Sequence, residues 1–324
     1  MSASNIFCSI IIPTIGRDSL ARAVESVLNQ QFDQPYEVIV VNDSARPLPT
    51  GAWQAAAAVQ IVDTQQRERS VARNVGAAIA RGRFLHFLDD DDWLLPGALD
   101  MLARMAANSP AEWLYGAAQL TDARGRCLFQ FDHRLSGNCL VQVMAGEWVP
   151  LQASMIATTA FFAIGGFQIT YAGIEDKDLL LRMALRYDLA GTATPVAGIL
   201  RGTWSSSTNW TRITHNWREV SEQVLNQPRT LARLRASVHD DAYWQGRLLR
   251  LYLISGWWNA RLGRPVAGLA RLTHAVGALL RAGPRLFSSR FWRALTRAHL
   301  TAGFDPASKL LGQDSEPIRS RPAG

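Results

Sequence analysis

The chain has 324 residues, 48% of them hydrophobic and 19% charged, which is enough apolar material to bury a large core and excludes an intrinsically disordered chain. Its three cysteines, Cys8, Cys127 and Cys139, are odd in number and widely spaced; they exclude a disulfide framework or a C-x-x-C zinc site and point to a reducing compartment. The net charge of +7 is unevenly placed: residues 225–324 hold 16 Lys and Arg against 5 Asp and Glu, whereas residues 1–224 hold 18 against 22.

Met1–Asn5 carries no basic leader, and the apolar run Ile6–Pro13 is too short for a signal core. No stretch of roughly 18 apolar residues free of charge occurs, so no transmembrane helix is expected. Residues 7–13 read as a buried strand and 14–16 as the turn after it. Residues 17–30 place Leu20, Val24, Val27 and Leu28 on one helical face, and Tyr36–Val41 is a second apolar strand ending in Asn42-Asp43-Ser44. This β-α-β unit implies parallel strands. A short helix over 52–58, a strand over 59–63 and a helix over 67–81 follow, the last carrying Arg69, Arg73 and Asn74 near its start. A strand over 84–88 then runs into four consecutive carboxylates, Asp89 to Asp92, before a helix over 96–107. Repeated strand-helix alternation predicts a doubly wound α/β domain, which keeps its ligands at the carboxyl ends of its strands.

Beyond Trp113 the pattern changes. Strands are expected over 112–120 and 127–132, mixed strand and loop over 149–162, a glycine turn at 165–167, and a helix over 179–186 with Asp176 and Asp178 in its first turn. A closing strand over 192–201 leads into the polar loop 202–210. From Trp217 onward the chain reads as helices over 217–236, 240–262, 265–280 and 287–300, rich in Leu, Trp and Arg, and the last dozen residues read as disordered. The expected domains are 1–215, divided at 110/111 into two halves, then a basic helical region 216–312 and a tail 313–324.

Four adjacent carboxylates repel one another, so a fold that gathers them at a strand end does so around a divalent cation; the alternative is a solvated acidic loop or helix start. Arg69 and Arg73 lie one helical turn apart and share a face suited to an anion, the alternative being surface ion pairs. Asn42-Asp43-Ser44 has turn chemistry, and Asp176, like Glu175 and Asp178, suits a helix N-terminus. The six histidines show no metal-binding spacing.

Ser9-Ile-Ile-Ile-Pro-Thr14, Val38-Ile-Val-Val-Asn-Asp-Ser44, Ala72-Arg-Asn-Val-Gly76, Ala80-Arg-Gly-Arg-Phe84, Phe87-Leu-Asp-Asp-Asp-Asp-Trp93, Gly165-Gly-Phe167 and Gly173-Ile-Glu-Asp176 occur in this order over the first two hundred residues or so. Together they resemble the inverting glycosyltransferases of family 2. The resemblance stops near residue 210. It implies the GT-A fold, a doubly wound mixed α/β sheet with a Rossmann-like nucleotide-binding half, here carrying a mostly α-helical C-terminal extension.

The resemblance also implies roles. Pro13 and Thr14 pass under the nucleoside, Asp43 accepts a hydrogen bond from the base imide, and Arg69 and Arg73 supply basic contacts to nucleotide or phosphate. Asp89 and Asp90 belong to the nucleotide-contacting part of the D-x-D motif. Asp91, with Asp89, holds Mg2+ or Mn2+ across the two phosphates, and Asp92 caps the next helix. Asp176 is the general base. Many members carry a His after the last core strand; Arg201-Gly-Thr-Trp204 has Thr203 there.

The implied activity is metal-dependent hexosyl transfer from a nucleotide diphosphate sugar, UDP-linked first, to a glycan or lipid-linked acceptor in cell-surface polysaccharide or glycolipid synthesis. The implied location is the cytoplasm, at the inner face of the membrane. The basic helices suggest peripheral membrane contact or a bundle packed on the catalytic domain or a partner. No nucleic-acid module is recognisable. The alternatives are a sugar-phosphate nucleotidyltransferase, for which the loop after the first strand is too short, and a non-catalytic membrane-associated assembly protein.

Overall fold

The computed structural model describes residues 6–65, 67–131, 134–200, 210–237 and 241–296. The expectations for Met1–Asn5, for the Thr203 position, for nearly all of the loop 202–210, for the end of the last helix and for the tail 313–324 lie outside these residues. The described residues fall into two compact units. One holds the chain up to Gly137 together with Val149–Trp210; the other holds Asn138–Trp148 and the helices from Thr211 onward. The sequence pattern did not single out Asn138–Trp148 as part of the helical unit.

The first unit opens with β1 (Cys8–Thr14), α1 (Leu20–Leu28), β2 (Tyr36–Asn42), β3 (Val59–Asp63), α2 (Arg69–Ile79), β4 (Phe84–Phe87), β5 (Trp93–Leu94) and α3 (Ala98–Asn108). It continues with β6 (Trp113–Thr121), β7 (Cys127–Phe131) and β8 (Ser136–Gly137). After α4 (Leu140–Met144), which belongs to the other unit, come β9 (Ser154–Ala157), α5 (Thr158–Ala163), α6 (Glu175–Arg186) and β10 (Leu189–Leu200). The main path of the sheet runs β3-β2-β1-β4-β9-β6-β10-β5, with β7 on β6 and β8 on β10. Strands β3, β2, β1 and β4 are mutually parallel, and β9 is antiparallel to both β4 and β6. The expected mixed α/β architecture is what forms.

Both faces of β1 are buried along its whole length, so it reads as an unbroken apolar run rather than an alternating one. Leu20, Ala23, Val24 and Val27 form the buried stripe of α1. Gly76 lets α2 lie close to the sheet: a Cβ there would stand 2.5 Å from Ile11 Cγ2 and 3.0 Å from Val41 Cγ2. Gly82 is tighter still, since its Cβ would meet the Ser9 backbone nitrogen at 2.5 Å. That approach allows Ser9 Oγ to accept from the Gly82 N–H at 2.9 Å while donating to Glu37 at 2.6 Å. Arg81 completes the group by donating to Glu37 through its backbone N–H and its guanidinium.

Several boundaries differ from expectation. The helix expected over 17–30 begins only at Leu20, because Gly16 takes a positive φ of 81° and Arg17 is drawn away to two carboxylates. Residues 52–58 give one 3-10 turn, Ala52–Ala55, and the mixed segment 149–162 contains β9 followed directly by α5. Helix α6 starts at Glu175, which puts Glu175, Asp176 and Asp178 all in its first turn.

In the second unit α7 (Trp210–Leu225) and α8 (Pro228–Arg235) replace the single helix expected over 217–236; Pro228 starts the new helix. Helices α9 (Ala242–Arg261), α10 (Pro265–Ala282) and α11 (Ser289–Thr296) follow. Gly246 of α9 admits α11, since a Cβ would stand 2.4 Å from the Phe291 carbonyl oxygen. Arg271 of α10 turns inward to Glu222 at 3.3 Å.

Candidate functional site

The parallel strands β1, β2 and β4 end at Thr14, Asn42 and Phe87, so the residues that follow share the carboxyl edge of the sheet. Pro13 is buried within β1 opposite Val41. The Thr14 carbonyl accepts from the Asp43 N–H at 2.8 Å, and Thr14 Oγ1 donates to Asp90 Oδ2 at 2.6 Å. Asp43 is buried and takes a further 2.7 Å hydrogen bond from Thr64 Oγ1, just beyond β3.

The four consecutive carboxylates diverge. Asp90 and Asp91 both receive Arg17, whose Nη1 lies 2.8 Å from each. Asp89 is held by Arg73 on one oxygen and by Gln152 Nε2 on the other, the latter at 2.9 Å. Asp92, the expected cap of the next helix, does not cap it. Helix α3 begins six residues later, and Asp92 Oδ1 instead accepts from the Leu200 N–H of β10 at 2.8 Å. Oxygens of Asp89, Asp91 and Asp92 lie within 4.8 Å of one another.

Arg73 is fully buried and links this cluster to the start of α6. Its Nη1 stands 3.5 Å from Glu175 Oε1, and Arg69 Nε stands 3.2 Å from the same oxygen. Glu175 is buried and also accepts from the Gly173 N–H at 2.7 Å. Asp176 is half-buried, accepts from the Lys177 N–H, and lies near enough to Arg73 to strengthen its charge. Asp178 faces elsewhere, into an ion pair with Arg182.

The expected site residues fall into linked groups of contacts, Asp43 with Thr14 and Thr14 with Asp90, then Asp89 with Arg73 and Arg73 with Glu175, while Asp176 acts on Arg73 through its charge. Sequence reading did not select Arg17, Thr64 or Gln152, and took Glu175 only for a helix-start residue. Arg17 follows a strand-end turn, where a basic residue carries no mark; Thr64 and Gln152 become neighbours only once the sheet is assembled. His86 is fully buried in β4, and that burial pushes its imidazole down to about 4.

The electrostatics follow from crowding. Burial acts to raise Asp89, but the adjacent Arg73 outweighs it and holds the carboxyl below its usual range. Burial and then Asp89 push Asp91 up; burial, Asp89 and Asp91 push Asp92 well up. Asp90 is raised mainly by burial, with Thr14 and Arg17 opposing. Three of the four carboxylates, Asp90, Asp91 and Asp92, are raised partly by the charge of neighbouring aspartates, and the donor set is all oxygen. That combination fits a hard divalent cation such as Mg2+ or Mn2+, with Asp89, Asp91 and Asp92 as the protein ligands.

Comparison with known proteins supplies the family. The model of Glycosyl transferase family 2 matches residues 9–126, a span that contains Thr14, Asp43, Arg69, Arg73 and the Asp89–Asp92 run. An uncharacterized glycosyltransferase of Haemophilus influenzae is 25% identical over 181 residues, covering 54% of this chain and 61% of that protein. The succinoglycan biosynthesis protein ExoO of Rhizobium meliloti is 32% identical over 117 residues, covering 35% of this chain and 33% of that protein. The chain therefore matches less than two thirds of the length of either relative. The crystal structure of S. aureus TarS 1-349 in complex with UDP-GlcNAc aligns with a TM-score of 0.58 at 14% identity, covering 84% of this chain and 92% of that one. At that identity the likeness is one of fold, and it gives the mixed sheet the GT-A architecture. Residues 9–126 of this chain are a glycosyl transferase family 2 domain.

Proposed function

We propose that the chain is an inverting glycosyltransferase that moves a sugar, a hexose first, from a UDP-linked donor to an acceptor hydroxyl, at the inner face of a membrane in cell-surface polysaccharide or glycolipid synthesis. One observation carries the reading: through Arg73, the acidic cluster after β4 joins Glu175 in the first turn of α6, the turn that also holds Asp176. The UDP-GlcNAc bound to TarS and the polysaccharide role in the name of ExoO support the donor and pathway class.

Asp43 accepts the imide N–H of the base, a task that suits an acceptor-only carboxylate, while Pro13 and Thr14 form the floor beneath the nucleoside. Asp89 and Asp90 position the ribose side of the donor, and Arg69 and Arg73 bring positive charge to the phosphates. Asp89, Asp91 and Asp92 would hold Mg2+ or Mn2+, which supplies Lewis-acid stabilisation of the departing diphosphate. Asp176 takes the acceptor's hydroxyl proton; the freed oxygen bonds to the anomeric carbon as the bond from that carbon to the diphosphate oxygen breaks, with its electron pair leaving on the nucleoside diphosphate.

The test has two steps. A thermal-shift screen of UDP-, dTDP- and GDP-sugars with Mn2+ identifies the donor, because a ligand specific for the folded state raises the melting temperature by mass action. Asp176→Asn should then keep the donor-induced shift while transfer falls by about 10²–10⁴-fold, the usual contribution of a general base. A variant that transfers at the wild-type rate removes Asp176 from the mechanism.

A further inference from the structure

Helix α10 is built inside out. The residues it turns into the helical unit are small or already paired: Gly268, Ala275, Ala278 and Ala282, with Arg271 bound to Glu222. Its large apolar residues face solvent instead. Val266, Leu269, Leu272, Val276, Leu279 and Leu280 are all exposed, Val266 to 82%, Leu269 to 63% and Leu280 to 76%. At 3.6 residues per turn these six fall on one side of the helix and form a continuous stripe along it. Trp257 near the end of α9, Phe287, which is 92% exposed, and Trp292 of α11 add further exposed aromatic rings to the same unit. An apolar surface of this extent on a soluble unit marks a docking site.

The occupant follows from charge. Residues 242–296 contain nine arginines and neither Asp nor Glu. Arg261 and Arg264 flank the beginning of α10, Arg281 lies at its end, and all three are exposed. Arg261 stacks over the Trp257 ring at 4.9 Å, a pairing that keeps a cation beside an aromatic at a polar-apolar boundary. A second copy meeting this face symmetrically would set arginine rims against each other, with no carboxylate from the segment to pair them. No described helix is long and apolar enough to cross a membrane, which leaves α10 lying in the surface plane. We propose that the α10 stripe and its arginine rim dock this protein on an anionic phospholipid bilayer, with the leucines and valines among the acyl chains and the arginines at the phosphates.

This places the membrane contact mainly on α10, since Leu248, Leu249, Tyr252 and Arg247 of α9 are buried. It deepens the membrane-side location of the proposed function and rests on none of the chemistry. The full chain is sedimented with vesicles of phosphatidylcholine alone and of phosphatidylcholine with phosphatidylglycerol. Expected are binding to the anionic vesicles that weakens as salt rises, and at least a tenfold loss in Leu269→Glu/Leu280→Glu. Arg264→Gln/Arg281→Gln, which keeps the apolar stripe, should also lose several-fold on anionic vesicles. Circular dichroism and thermal melts of the same preparations show that the variants are folded, and UDP binding, read separately, keeps failure here distinct from failure of the transferase reading. Absence of wild-type binding to anionic vesicles overturns the proposal, as does binding that neither double variant reduces. So does a wild-type dimer in solution that Leu269→Glu/Leu280→Glu disperses while vesicle binding is absent.

Discussion

Among single residues, the division of labour within four consecutive aspartates is the clearest result. Identical side chains meet different partners: Arg73 and Gln152 for Asp89, Thr14 and Arg17 for Asp90, Arg17 for Asp91, and the β10 backbone for Asp92. The run itself is plain in the sequence, but its partners are not, because they lie from 16 to 108 residues away. Asp43 is subtler, since turn chemistry alone explains an Asp after a strand, and Thr64 already satisfies one of its oxygens. If Asp43 reads the base, Asp43→Ala should weaken UDP binding by about 1.5–3 kcal/mol, the scale of a hydrogen bond to a charged group. Isothermal titration measures this, and an unchanged affinity would reduce Asp43 to a turn residue tied to Thr64.

Among elements, three of the motifs that carry the resemblance prove to be packing devices as well, those around Asn74, Gly82 and Gly166. Asn74 of α2 binds both the N–H and the carbonyl of Phe167, each at 2.9 Å, so two motifs 93 residues apart form one clamp. Gly166, at φ 63°, brings the backbone against the Asn74 amide, where a Cβ would stand 2.7 Å away. Ala80-Arg-Gly-Arg-Phe84 contributes the Glu37, Ser9, Arg81 and Gly82 group that ties β1, β2 and β4 together at their amino ends. Burial acts to raise Glu37, but hydrogen bonds from Ser9 and Arg81 overcome it and hold the carboxyl below its usual range. A depressed carboxyl adds stability above its unfolded value of roughly 4.3, and that stability is lost as pH falls through the lower folded value. Glu37→Gln should therefore cost about 1–3 kcal/mol at neutral pH, the scale of a buried partner left unsatisfied. The cost should shrink in melts taken in the acid range below pH 4. A pH-independent cost would assign it to shape alone. Strands and helices were readable here because their apolar periodicities are long; the delayed start of α1 was not, since Arg17's carboxylates are tertiary, whereas the break before Pro228 carried a local signal that the apolar periodicity masked.

For the whole molecule, the sequence shows an α/β domain followed by basic helices, and both are present. It does not show that Asn138–Trp148 leaves the first unit for the second, because a five-residue helix such as α4 has too little pattern to declare its neighbours. Nor does it show which side of α10 is covered, since small residues inside and leucines outside invert the usual amphipathic rule. The central claim is that distant acidic groups meet at one sheet edge around a cation that holds a nucleotide diphosphate. Titration of UDP into wild-type protein and Asp91→Ala, with Mn2+ and then with EDTA, tests it most directly. The account predicts at least tenfold tighter wild-type binding with Mn2+, and no such gain for Asp91→Ala. Wild-type affinity indifferent to EDTA, or an Asp91→Ala variant that keeps the full Mn2+ gain, would contradict it.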